Sequence, residues 1–257
     1  MCELFGVSTP HKIQLNSLLR TFFSHADKHP HGWGMVLFDK KVVCVEKQAV
    51  SADKSARLQS YLENPVIADN MMAHIRLATK GNMEYDNCHP FVRRDASGRS
   101  WTLAHNGTVF EAAVLNPFFY VQEGQTDSER ILYYIVEQVN CRQEEVGRSL
   151  SAGERFQLID EIIAGIAEEN KLNLLIFDEE YFYVHSNLRN SLYLSERDGG
   201  VVFSTVPLDE GEWKAVSLNT LLVYQHGSLV YQGTNHGYEY VEDPEKMKLL
   251  FLDFSAL

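Results

Sequence analysis

The chain has 257 residues, of which 45% are hydrophobic, enough to fill one larger core without covalent staples and unlike a disordered or fibrous protein. Its 23 lysines and arginines stand against 35 aspartates and glutamates, a formal charge of −12 that repels nucleic-acid backbones and anionic membranes where no basic patch overrides it. Apolar stretches such as 172–177 are far too short to span a bilayer, and the four cysteines, without a C-x-x-C pair or a signal-like start, fit a reducing cytoplasmic setting.

Residues 2–8 read as a short buried strand that stops at Thr9-Pro10, with Cys2 at its beginning. Leu15, Leu18, Leu19, Phe22 and Phe23 fall at helical spacing over 14–23. The loop 29–32 feeds a hairpin made of strands 33–38 and 41–46 around a tight Asp39-Lys40 turn. A helix is predicted over 52–62 and strands over 71–75 and 100–104, the latter ending at His105-Asn106-Gly107. After Gly124 a long helix opens, capped by Thr126 or Asp127, with Ile131, Leu132, Ile135, Val136 and Val139 as its apolar face. A second long helix, 154–168, precedes the strands 172–177, 181–186, 192–195, 201–204, 220–225 and 228–231. Helices set between groups of hairpins favour a layered α+β fold over a doubly wound parallel sheet. No repeat or linker interrupts the pattern, so residues 2–257 are expected to form one domain. Neither G-x-G-x-x-G nor a P-loop occurs, so no nucleotide cradle and no cofactor is expected.

Cys2 carries the most chemistry. Removal of Met1 would give a thiol nucleophile with its own base, an α-amine titrating at roughly 7.7–8.0. Four segments accompany it: Cys2-Glu3-Leu4-Phe5-Gly6, His31-Gly32-Trp33-Gly34, His74-Ile75-Arg76-Leu77-Ala78-Thr79 and His105-Asn106-Gly107, followed by Thr126-Asp127-Ser128-Glu129. In these residues and this order the chain resembles the class II glutamine amidotransferases, N-terminal-nucleophile enzymes that take an amide nitrogen from glutamine. Thr205-Val206-Pro207-Leu208 and Trp213-Lys214-Ala215-Val216 are similar to the terminal part of stand-alone members. The resemblance implies a four-layer αββα sandwich with two facing antiparallel sheets and Cys2 at the start of an inner strand.

It also implies roles. Asn106 and Gly107 would supply a two-donor oxyanion hole; an Asn-Gly pair is also the commonest hairpin turn. Arg76, helped by Thr79, would hold the substrate carboxylate through a guanidinium fork, the alternative being a surface arginine. Asp127 would receive the α-ammonium, or serve only as a helix cap. His31 and Gly32 belong to a loop that in the family orients the terminal amine, with Gly32 suited to close approach. His25, His29 and His31 lack further ligands at metal spacing, so no metal is assigned. Cys88, in Asn87-Cys88-His89-Pro90-Phe91, reads as structural, and Cys44 and Cys141 as buried small apolar residues. Leu77 and Lys80 replace the Trp and His that larger family members place around the arginine.

The expected activity is a cofactor-independent release of ammonia from glutamine through a γ-glutamyl thioester on Cys2. Two alternatives stay open: hydrolysis of a γ-glutamyl peptide or conjugate, and a non-catalytic regulatory subunit that keeps the fold. A separate ammonia-accepting enzyme is compatible with the glutamine reading as a partner, and a homo-oligomer with either; nucleic acid and membrane are not expected partners.

Overall fold

A computed structural model describes residues 2–39 and 42–245. The predicted Asp39-Lys40 turn reaches outside the described residues. Thirteen strands and four α-helices are assigned to the described residues, in two sheets whose neighbouring strands all run antiparallel. The first half contributes β1 (Glu3–Gln14), α1 (Asn16–Ser24), β2 (Trp33–Asp39), β3 (Val42–Gln48), α2 (Ala56–Glu63), β4 (Ile67–Ile75), β5 (Phe91–Arg94) and β6 (Ser100–Thr108). Next come α3 (Asp127–Val146), α4 (Ala152–Ala167), β7 (Lys171–Phe177), β8 (Phe182–His185), β9 (Tyr193–Arg197), β10 (Gly200–Ser204), β11 (Lys214–Ala215), β12 (Leu222–Gln225) and β13 (Ser228–Gln232). One sheet has the order β11-β9-β10-β1-β4-β2-β3, the other β13-β12-β8-β7-β6-β5.

Three apolar clusters separate four layers. Leu19, Phe22 and Leu58 of α1 and α2 pack on Phe5, Met71 and Val202 of the first sheet. Leu4, Met72 and Phe203 meet Ala104, Leu175 and Phe182 between the sheets. The expected face of α3, with Ile131 and Ile135, and Ile159 and Ile163 of α4 cover Leu103, Leu174 and Ile176 on the outside of the second sheet. The αββα order follows from strand alternation: Leu4 and Phe5 point to opposite faces of β1, and each face finds its own layer.

Several boundaries differ from expectation for local reasons. β1 continues past Pro10 to Gln14, because a register irregularity between Ser8 and Ile13 lets proline sit where no ladder hydrogen bond is required. The segment 52–62 divides into a short 3-10 turn, Ala52–Lys54, and α2, which Ser55 caps by accepting from Leu58 N–H. β6 does not end at Ala104 but runs through Asn106 and Gly107. Cys44 and Cys141 are exposed, contrary to their expected burial: Cys44 lies on the edge strand β3 and Cys141 on the open face of α3. Cys88 is buried as expected. Among the described residues no helix is long and apolar enough to cross a membrane.

Candidate active site

Cys2 immediately precedes β1, whose pairing with β4 places Glu3 opposite Ile75 and so brings Arg76 to the same end of the sheet. The Cys2 Sγ donates to the carbonyl oxygen of Leu77 at 3.4 Å. Burial pushes the thiol's pKa up, more than the Leu77 bond and the nearby Arg76 charge lower it. A thiol kept neutral in this way needs a base to remove its proton as it attacks.

The thiol opens into a narrow cleft of about 20 Å³. Its walls come from the segment after β4 (Arg76, Thr79, Lys80), from β6 (His105, Gly107) and from the start of α3 (Thr126, Asp127, Ser128). A larger cavity of about 360 Å³, bordered by Glu168, Glu169, Glu239 and Asp243, contains no nucleophile.

Asn106 and Gly107 do not form a turn. They lie within β6, opposite Asn173 and Leu172 of β7. Ala104 packs between the sheets with Leu4, and Asn106, two residues further along the strand, falls on that same face by strand alternation but is not among the residues that line the Cys2 cleft. The Asn106 Oδ1 is buried without a hydrogen-bond partner. Gly107 is required by crowding: a Cβ there would lie 1.9 Å from the Lys171 carbonyl oxygen and 2.3 Å from His105 Nε2.

Arg76 is buried, not a surface arginine, but its charge is already engaged. Nη1 donates to the Asn82 carbonyl (2.9 Å), and Nη2 to those of Lys80 (2.7 Å) and Gly81 (2.9 Å). This loop is tied to the approach to α3: Asn82 N–H donates to Gln125 Oε1 and Gln125 N–H to Asn87 Oδ1. Thr79 Oγ1 is 3.5 Å from Thr108 Oγ1. Thr126 is the cap of α3, accepting from Glu129 N–H, which releases the Asp127 carboxylate for other work. Its Oδ2 accepts from Val109 N–H at 2.6 Å and its Oδ1 from Ser128 N–H at 2.9 Å; a carboxylate so held keeps further lone pairs for a ligand.

His31 and Gly32 lie beside this segment. Backbone bonds run from Arg76 N–H to the Gly32 carbonyl and from His31 N–H to the Arg76 carbonyl. Gly32, at φ 144°, leaves room for the Cys88 sulfur, which an added Cβ would meet at 2.7 Å. The close approach at Gly32 is thus to Cys88. His25 and His29 face Glu3, with His25 Nδ1 2.8 Å and His29 Nε2 3.8 Å from its carboxylate.

Further wall residues carried no assignment from sequence. His105 bridges Ser128 Oγ (2.9 Å) and the Lys171 carbonyl (3.0 Å), joining β6, α3 and β7 behind the cleft. His89 lines the cleft and packs at a tilt against His74, with ring centroids 4.1 Å apart. Burial holds both rings, and His105, below the ordinary histidine pKa. His105 and His89 each lie within a motif singled out from the sequence, His105-Asn106-Gly107 and Asn87-Cys88-His89-Pro90-Phe91, which is the one signal the sequence offered for them.

The model of the family described as "Glutamine amidotransferases class-II" matches residues 1–198. The chain belongs to the class II glutamine amidotransferases. It is 26% identical to an uncharacterized protein of Methanocaldococcus jannaschii over 258 residues, covering 90% of this chain and 71% of that one. Among solved structures, the glutamine phosphoribosylpyrophosphate amidotransferase of B. subtilis superposes with a TM-score of 0.67 at 17% identity, over 92% of this chain and 49% of that one. A glutamine aminotransferase class-II domain protein from Silicibacter pomeroyi gives 0.56 at 17% identity, over 94% of this chain and all of that one. At such identities these likenesses are of fold. Two facing antiparallel sheets covered by helices are thus the amidotransferase architecture expected from the motifs.

Proposed function

We propose that this class II amidotransferase releases ammonia from the γ-amide of glutamine through a thioester on Cys2. The observation that carries the reading is the convergence of Cys2, Arg76, Thr79, Gly107 and Asp127, distant in sequence, on one cleft.

With Met1 removed, the Cys2 α-amine accepts the thiol proton as sulfur bonds to the γ-carbonyl carbon. The carbonyl oxygen becomes an oxyanion, held by the Asn106 side-chain amide and the Gly107 N–H. Its collapse breaks the carbon–nitrogen bond while the ammonium of Cys2 returns a proton to the departing nitrogen, giving ammonia and a thioester. Water then adds to the thioester, the sulfur leaves and regains a proton, and glutamate is released. The substrate's ammonium lies at Asp127 and its carboxylate on the cationic wall of Arg76, Thr79 and Lys80.

The test is ammonia release from glutamine by protein whose first residue is Cys2 by intact mass, beside Cys2→Ala. Loss of turnover in the variant is expected; undiminished turnover sinks the mechanism. Running γ-glutamyl dipeptides in parallel decides the substrate: a strong preference for them over glutamine would reassign the same machinery to conjugate hydrolysis.

A further inference from the structure

Resting on the reading that gives Asp127 the substrate's ammonium, we infer that residues 234–242, the segment after β13, form a strap that positions the Asp127 carboxylate from outside the cleft, with Tyr240 as its anchor. None of the strap residues lines the cleft itself.

Residues 234–242 contain no helix or strand, and their hydrogen bonds lead inward. Tyr240 N–H donates to the Asn187 carbonyl at 2.7 Å, and Asn187 Nδ2 donates to the carbonyls of Tyr238 (3.3 Å) and Asn170 (2.8 Å). Asn170 Oδ1 in turn accepts from Phe110 N–H (2.6 Å) and Glu111 N–H (3.0 Å), while its Nδ2 donates to the Glu111 carbonyl (2.6 Å). One residue before Phe110, the Val109 N–H holds Asp127 Oδ2. Both asparagines are fully buried, so water cannot replace a bond that the strap gives up.

Side chains follow the same route. The Tyr240 ring stacks on Phe110, with planes 8° apart and centroids 6.0 Å apart. Beyond it, Glu242 pairs at 3.0 Å with the Nζ of Lys171, a buried lysine at the start of β7 whose carbonyl bonds His105. The strap is nevertheless not packed as a core is. The Tyr240 hydroxyl is buried without a hydrogen-bond partner, and a cavity of about 360 Å³ lies between residues 237–243 and Glu168-Glu169, just after α4. Polar bonds and one stacked ring, rather than a filled interior, therefore fix the strap, and a change in them passes through Phe110 to Val109 and Asp127.

The test uses protein beginning at Cys2 and the variants Tyr240→Ala and Tyr240→Phe. In Tyr240→Ala, amide hydrogen exchange read by mass spectrometry should speed up about 10-fold over residues 109–111. KM for glutamine should rise about 10-fold, the scale of one weakened charge-assisted hydrogen bond. Alkylation of Cys2 by iodoacetamide, which has no ammonium to place, should keep its wild-type rate. Tyr240→Phe keeps the ring and loses only the unpartnered hydroxyl, so it should match the wild type in all three measurements. Unchanged exchange over 109–111 or an unchanged KM in Tyr240→Ala overturns the inference, as does a Tyr240→Phe variant that behaves like Tyr240→Ala. An equal change in KM and in the iodoacetamide rate overturns it too, because it marks general loosening. Wild-type protein that releases no ammonia from glutamine overturns the amidotransferase reading instead, and the exchange over 109–111 then still decides whether the strap holds Val109.

Discussion

The His31 ring accepts a hydrogen bond through Nδ1 from the backbone N–H of Ala78, at 2.9 Å. That bond ties the loop before β2 to the residue following Leu77, whose carbonyl receives the Cys2 thiol. It also requires the ring proton to reside on Nε2. Burial and the nearby Arg76 charge lower the ring's pKa, so it is neutral and able to accept at pH 7.

Replacing His31 by alanine should therefore act on Cys2 without touching it. The Ala78 N–H loses its acceptor, at a cost of about 1–3 kcal/mol if it stays buried. Chemical denaturation should report that loss, and alkylation of Cys2 should change its rate as the Leu77 carbonyl shifts.

Asn106→Ala separates function from stability. The loss of an oxyanion donor should lower kcat by about 100- to 1000-fold. Because Oδ1 is buried without a partner in the native protein, stability should be unchanged or higher. Steady-state kinetics beside a urea melt checks both; a large loss of stability would show that the amide serves the fold instead.

Gly107→Ala should fail on both counts. The Lys171 carbonyl oxygen and the His105 ring occupy the space of the new methyl, so β6 must move away from β7. Overpacking of this kind costs about 1–3 kcal/mol or more, and the displaced N–H can no longer meet the oxyanion. A variant with native stability and native kcat would contradict the crowding.

Stability should fall on acidification below about pH 6.5, the ordinary histidine value. Burial and the adjacent His236 hold His185 down to about 3, and His74, His89 and His105 are depressed in the same direction. In this range the unfolded chain binds protons that the folded protein does not, so stability is full above about 6.5 and lost as pH drops toward 3. Each such histidine costs up to about 1.4 kcal/mol per pH unit across its interval. Urea midpoints between pH 7.5 and 5 give the measurement, and His185→Phe should flatten the slope.

Cys2 should alkylate with a rate that rises through pH values above the ordinary thiol pKa of about 8.5, because burial raises its own. Intact-mass labelling by iodoacetamide across pH 7–10.5 follows it. A rate already at its plateau at pH 7 would mean that the thiol is ionised without help, removing the need for the terminal amine as base.

Local chemistry written along the chain was enough to find the framework. The apolar face of α3, the run of strands through the second half and the motif at Cys2 were legible because periodicity and reactive side chains are properties of neighbouring residues. Asn106-Gly107 shows the limit: as a dipeptide it reads equally as a turn, and only the approach of the Lys171 carbonyl from β7 explains why glycine stands inside a strand. Arg76 shows it again, since the carbonyls that occupy its guanidinium belong to a loop whose path no spacing rule predicts. Sequence alone determined that Cys2, Arg76, Asn106 and Asp127 deserved to be considered together. Which of their hydrogen bonds are already made was decided by the tertiary structure, because a donor's availability depends on what the folded chain brings within 3 Å of it.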